Sequence, residues 1–235
     1  KKNMFHKTEG ILIKKTVLSG SRLILKIYTE EFGLKSYFGR NSKKEKKSYL
    51  PLSIVSLTAY DNPKKTIHGI KDYELVSPLS SIYTDIYKST VLLFINEIIN
   101  SVIQEEETNK EKFHFIKNQI LLLEEKKFDS NFHLVFLMKF TALLGFIPHL
   151  DGKGIYYDLE EGELTNRMPI HPNFMDESET KLFRALFNLC EETNSVYKID
   201  NNSRKRTLQT MVMYYRYHTD MRELKSLPVL ETVFS

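Results

Sequence analysis

Two hydrophobic periods divide the chain. Up to about residue 76, apolar and polar residues alternate as in strands that bury one face; from about residue 82, apolar residues recur at helical spacing. In the first part, Ile11, Ile13 and Val17 share one parity, with Lys14 and Thr16 on the other. After a turn at Ser19-Gly20, a second run puts Leu23, Leu25 and Ile27 on one face and Arg22, Lys26 and Tyr28 on the opposite face. Gly33 ends the turn Glu30-Glu31-Phe32, and a third run covers residues 34–40, in which Lys35 and Tyr37 share a face. Residues 52–60, rich in β-branched side chains, make a fourth strand. The turn Asp61-Asn62-Pro63-Lys64-Lys65 then leads to a fifth over residues 66–75. Five short antiparallel strands are too few for a two-layer sandwich of usual size, but they can close into a small barrel.

In the second part, Val91, Ile95, Ile98, Ile99 and Val102 mark a helix whose apolar arc is widened by Leu92, Leu93 and Phe94 and which closes at Glu105-Glu106-Glu107. Phe113, Ile116, Ile120 and Leu123 mark a second helix. Phe132, Val135, Phe136, Phe140, Leu143 and Leu144 mark a third, stopped by Gly145 and Pro148. An irregular connection is expected over residues 148–172. Asp176 then reads as an N-cap with Glu179 at the third helical position, before Leu182, Phe183, Leu186 and Leu189. Ser203 is expected to cap a last long helix carrying Leu208, Met211, Val212 and Tyr215 on one side. Its first turn holds Arg204, Lys205 and Arg206, cations that oppose the helix dipole and so point to a purpose other than stability. The expected organisation is α+β, with a barrel domain over residues 1–80 and a helical domain over residues 81–235.

Composition adds one thing to this picture, the placement of charge. The 235 residues carry a net +4, but residues 1–80 hold 16 Lys+Arg against 7 Asp+Glu, a net +9, which leaves −5 for the rest. An asymmetry of that size points the first domain toward polyanions. Apolar residues make up 41% and charged residues 27%, the proportions of a globular chain rather than a disordered one. The longest apolar run, residues 91–103, is cut by Asn96, Glu97, Asn100 and Ser101 and falls short of the roughly 20 residues of a membrane-spanning helix. No membrane attachment is expected, and the chain reads as cytosolic. Cys190 stands alone, so no internal disulfide and no multi-thiolate zinc site can form.

Catalytic patterns do not emerge. The seven histidines show no ligand spacing, so neither a metal nor another cofactor is expected. Gly152-Lys153-Gly154 lacks the spacing of a phosphate loop. Glu160-Glu161 and Glu191-Glu192 fit a solvated loop and a helix end, and Cys190 lies on the apolar side of its helix. An enzyme is not expected.

Nucleic-acid chemistry fits the barrel half better. Cations follow a phosphate backbone while aromatic rings stack on bases without reading sequence, and strands two and three of such a barrel form the usual groove for single strands. The candidate contacts are Arg22, Lys26, Tyr28, Lys35, Tyr37 and Arg40, joined by Lys43, Lys44, Lys46 and Lys47 in the following polar stretch. The competing reading has Tyr28 and Tyr37 covering the barrel end against the helices.

Patches in the same order along nearly the whole chain resemble the RecO family of recombination mediators. They are Thr8-Glu9-Gly10-Ile11-Leu12, Ile27-Tyr28-Thr29-Glu30-Glu31-Phe32-Gly33, Tyr60-Asp61-Asn62-Pro63-Lys64, residues 131–148, Tyr157-Asp158-Leu159-Glu160-Glu161-Gly162, Tyr214-Tyr215-Arg216-Tyr217-His218 and residues 224–230. The resemblance implies an N-terminal OB-fold barrel joined to a helical domain and a non-enzymatic role. That role is binding single- and double-stranded DNA, annealing complementary strands and helping RecA load onto DNA coated with the single-strand-binding protein SSB. The implied partners are RecR and the acidic C-terminal tail of SSB, for which Arg204, Lys205 and Arg206 are the candidate receptor, and the implied location is the cytoplasm at the nucleoid. Many members carry a four-cysteine zinc module where residues 148–172 of this chain have no cysteine. Two other classes stay open on the strand half alone: another OB-fold module for RNA, and a protein-interaction scaffold.

Overall fold

The computed structural model of the chain describes residues 5–18, 22–40, 50–60, 65–103, 108–192 and 199–234. The expected turn at 19–20, most of the one at 61–65, Lys43, Lys44, Lys46, Lys47 and the acids at 105–107 lie outside the described residues.

Five strands, β1 (Phe5–Val17), β2 (Arg22–Thr29), β3 (Gly33–Arg40), β4 (Ile54–Tyr60) and β5 (Ile67–Leu75), close into a barrel in the order β1-β2-β3-β5-β4, with β4 returning to β1. This is the small barrel expected from the alternating half, and it agrees with the OB-fold that the resemblance implies. One expectation needs correcting: β3 and β5 run parallel, whereas every other pair is antiparallel. A ring of five strands cannot alternate direction all the way round, so closure itself demands one parallel pair. The interior is filled by Leu12, Leu23, Leu25, Ile27, Tyr37, Val55, Leu57 and Ala59. The parity read for Ile11, Ile13 and Val17 also fails. The β1–β2 register shifts between Leu12 and Lys14, so Ile11, Leu12 and Ile13 are all buried while Val17 is exposed.

The chain forms two compact units, Lys1–Lys127 and Phe128–Ser235. The first joins the barrel to α1 (Ser80–Thr84), α2 (Ile86–Val102) and α3 (Lys110–Glu125). Residue 80, the expected domain division, marks the change from strands to helices; the compact unit runs on to Lys127. The amphipathic spacing of Phe113, Ile116, Ile120 and Leu123 buries one face of α3, as expected. Asn109 starts the helix by accepting a hydrogen bond from the Lys112 amide.

The second unit holds α4 (Phe132–Leu144), then β6 (Tyr156–Asp158), β7 (Glu163–Thr165) and β8 (Phe174–Met175), then α5 (Glu177–Glu192), α6 (Asn201–His218) and α7 (Ser226–Val233). Gly145 ends α4 at φ 83°, the left-handed conformation glycine adopts without strain. The stretch expected to be irregular contains β6 and β7, which with β8 form a three-stranded sheet in the order β7-β6-β8. Strands of two and three residues are too short to show alternation. Side-chain bonds hold this sheet: Asp158 accepts from the amides of Glu160 and Glu161 and pairs with His171 at 3.0 Å. Asp176 and Glu179 form the expected reciprocal cap of α5, and this pulls the Asp176 carboxyl below its ordinary pKa. The cap of α6 is Asp200 rather than Ser203; its carboxylate accepts from the Ser203 amide at 2.9 Å. Among the described residues, no helix is long and apolar enough to cross a membrane.

Candidate nucleic-acid interface

The β2–β3 register fixes which side chains share the outer surface. Arg22 lies opposite Arg40, Ile24 opposite Phe38, Lys26 opposite Ser36, and Tyr28 opposite Leu34. Leu23, Leu25 and Ile27 fill the interior, so these four pairs all face out. Arg22 and Arg40 are exposed, and Phe38, in the next outward row, is 48% exposed. A groove of about 540 Å³ runs from this corner onto β5 and is bordered by the three cations Arg22, Arg40 and Lys71 beside Phe38 and Gly69.

The far end of the same face is closed. Tyr28 is buried beneath α3, where its ring lies 6.0 Å from that of Phe113 and its hydroxyl donates to the Asn109 carbonyl at 3.1 Å. Lys117 pairs with Glu9, Lys110 with Glu31 at 2.8 Å, and His114 with Glu30 at 3.1 Å. Three of the barrel's acids are thus engaged by α3 at the end away from Arg22 and Arg40.

This geometry corrects three of the expected contacts. Tyr28 stands on the expected face but is covered by helix, which is the competing reading of its role. Tyr37 is opposite Leu25 and points inward, packing in the barrel core with its ring 5.8 Å from His68. Lys35 is opposite Ile27 and shares that inward parity at the barrel rim, where its Nζ lies 5.5 Å from the Phe32 ring centroid. Polar character alone misassigns the face of β3. Gly39 carries the missing signal, since a Cβ there would come within 2.7 Å of Leu25 Cδ1, so its parity, and with it that of Tyr37, is the interior one. Phe38 is therefore the outward ring. Lys71 also escapes the sequence pattern. The β4–β5 register passes from Thr58↔Asp72 to Ala59↔Ile70, leaving Lys71 as an extra residue that alternation cannot place. Of the expected set, the structure brings Arg22, Lys26 and Arg40 onto one face, and it adds Phe38 and Lys71.

In the second unit, the three cations of α6 part company. Arg204 and Lys205 border a cavity of about 290 Å³ with His133, Leu208, Leu230 and Phe234. Arg204 is held there by Asn131 at 3.0 Å and Asn201 at 2.8 Å. Arg206 instead pairs with Glu179 of α5 at 3.2 Å and lines a different cavity. His133 is fully buried; that burial, aided by the Arg204 charge, lowers its pKa to about 3. Cys190 is buried against Met138, 3.5 Å between sulfurs, and burial raises its thiol pKa to about 11, outside the range of a reactive thiolate. Among the described residues, no group of three or more His, Cys, Asp or Glu side chains is placed to hold a metal ion.

Comparison with known families matches the two parts in turn. Residues 4–79 fit the family described as Recombination protein O N terminal, and residues 83–228 fit Recombination protein O C terminal. The chain belongs to the RecO family. It is 34% identical over 238 residues to the DNA repair protein RecO of Flavobacterium psychrophilum, covering 97% of this chain and 99% of that one. The RecO of Flavobacterium johnsoniae is 32% identical, with 97% and 99% covered, and that of Bacteroides fragilis 33% identical, with 98% and 100% covered. Membership agrees with the observed barrel and with the patches read from the sequence. It places the chain among DNA repair proteins.

Proposed function

We propose that this RecO family member is a non-enzymatic recombination mediator of the bacterial cytoplasm, acting at the nucleoid. It binds single- and double-stranded DNA through the open end of the barrel, anneals complementary strands and helps RecA load on SSB-coated DNA together with RecR. The observation that supports this best is the exposed Phe38 ring in the row next to the directly opposed Arg22 and Arg40 on the outer β2–β3 face. Cations set beside an aromatic surface suit a strand whose phosphates are held while its bases stack. Lys26 and Lys71 extend the cationic border, and Lys43, Lys44, Lys46 and Lys47, which follow β3 in sequence, supply further phosphate contacts. A base-edge code is not needed for annealing, because the partner strand supplies the sequence recognition.

The cavity beside Arg204 and Lys205 supports a second element of the reading, a receptor for the acidic SSB tail. Such a tail needs cations beside an apolar pocket, and this cavity sets both basic groups next to Leu208, Leu230 and Phe234. Arg206, held by Glu179, is left out of the proposed receptor.

Annealing of complementary oligonucleotides coated with SSB tests the proposal. The parent chain should accelerate duplex formation, and Arg22→Glu combined with Arg40→Glu should abolish the effect. Loss of binding to an SSB-tail peptide in Lys205→Glu, with annealing of bare DNA intact, separates the second element from the first. A chain that neither binds nor anneals DNA at low salt would leave a protein scaffold as the answer.

A further inference from the structure

The row of residues through Phe38 continues around the barrel away from β2. Phe38 pairs with Gly69 of β5, Gly69 with Tyr60 of β4, and Tyr60 with Phe5 of β1. Phe38 faces outward, so the whole row does. Tyr60 is half-buried, Phe5 is 53% exposed, and their rings lie 5.7 Å apart. Lys71 reaches over the Phe5 ring, with Nζ 5.3 Å from its centroid. The outer surface thus carries three aromatic rings in one cross-strand line, interrupted only by the missing side chain at Gly69.

The fold does not require glycine at that position. Gly69 is not among the residues with positive φ. A Cβ built there would meet nothing closer than Tyr60 Cβ at 3.9 Å, which is ordinary contact, in contrast to the clash at Gly39. Glycine inside a strand otherwise weakens it, and its usual uses are a bend or the close approach of something else. Neighbouring strands lie about 4.8 Å apart, so β3 and β4, with β5 between them, set Phe38 and Tyr60 on backbones roughly 10 Å apart. A planar ring stacked on both sides at about 3.5 Å needs roughly 7 Å between its flanking rings.

We infer that Gly69 forms the floor of a slot that takes one unpaired base between Phe38 and Tyr60. The phosphates on either side of that base rest on Arg40 and Lys71, which border the same groove. The occupant is single-stranded DNA: a paired base cannot enter a slot one ring deep, and the surrounding charge is cationic. The next outward row in the Arg40 direction, Lys7–Thr58–Asp72, adds one cation and one acid, so Arg40 and Lys71 remain the cations that border the slot. The strand therefore leaves the β2–β3 face across the parallel β3–β5 junction. This inference rests on the DNA-binding reading above and adds the path and the requirement for an unpaired base.

The chain contains no tryptophan, so Phe38→Trp introduces a single reporter of stacking in the intact protein. Binding of a labelled oligothymidylate is followed by anisotropy, and the Phe38→Trp emission is read in parallel with unlabelled oligonucleotide. Emission should be quenched in step with binding. Adding Gly69→Val should remove the quenching and weaken binding about tenfold, within the range for loss of one stacked base, with the salt dependence unchanged. A thermal melt checks that Gly69→Val folds; if it does not, Gly69→Ala and the quenching of Phe38→Trp alone decide. Saturated binding without quenching, or quenching that survives Gly69→Val, overturns the slot and leaves the groove. Failure of the parent chain to bind the oligonucleotide overturns the underlying reading.

Discussion

Tyr28 donates its hydroxyl proton to the main-chain carbonyl of Asn109, the residue that caps α3, and so ties the barrel's outer face to the start of the helix covering it. A ring in that position serves stability. Tyr28→Ala should lower the stability of the folded chain by about 3–5 kcal/mol, the range for truncating a buried aromatic side chain. Tyr28→Phe, which loses one hydrogen bond, should lower it by about 1 kcal/mol. Chemical denaturation measures both, and the salt dependence of DNA binding by Tyr28→Phe should match the parent.

Arg22 and Arg40 should behave in the opposite way. Both are exposed and directly opposed across the β2–β3 ladder. Replacing both with Gln should change stability by less than about 0.5 kcal/mol. It should also flatten the slope of log affinity against log salt by about 1.4 on single strands, at roughly 0.7 for each phosphate no longer neutralised. Titrations of one oligonucleotide at several salt concentrations give the slope directly.

His133 predicts an acid-sensitive second unit. Its folded pKa of about 3 lies below the ordinary histidine value of 6.5, chiefly through burial and further through Arg204. Between those two values the unfolded chain binds a proton that the folded chain refuses, so stability falls as pH drops through that window and is level above it. By pH 5 the loss should approach about 2 kcal/mol. His133→Gln should show a flatter profile between pH 7 and pH 5 when denaturation midpoints are compared.

Cys190 offers a clean probe of opening. It is the only thiol in the chain, it is buried, and its pKa is raised to about 11. An aromatic disulfide reagent at neutral pH should label the native chain far more slowly than the denatured one. Labelling of the native chain at the rate of an exposed thiol would contradict the packing against Met138.

The barrel is legible in the sequence because β2, the best patterned strand, keeps Leu23, Leu25 and Ile27 inside without interruption. β1 and β5 are harder to read, since each contains a register shift and alternation loses its meaning beyond it. The site is legible in its charge and less so in its rings. Adjacent aromatics at positions 37 and 38 offer two parities, and the choice between them depends on the interior glycine at position 39, whose meaning emerges only when Leu25 is seen against it. Tyr28 illustrates a different limit. Its face follows correctly from alternation, but a helix some eighty residues later covers it, and no local pattern announces a contact at that separation. The short sheet β7-β6-β8 is invisible because strands of two and three residues hold barely one repeat of the alternation.

The helix α3 also bears on where a chain of this kind can be cut. The two family models meet between residues 79 and 83, yet the contacts to Glu9, Glu30 and Glu31, and the cover over Tyr28, come from residues beyond that point. A barrel cut there would uncover Tyr28 and leave Glu9, Glu30 and Glu31 without these partners at one end. A fragment ending near residue 80 should therefore fold less stably than one running to Lys127. The smallest piece of chain that keeps the barrel covered is longer than its five strands.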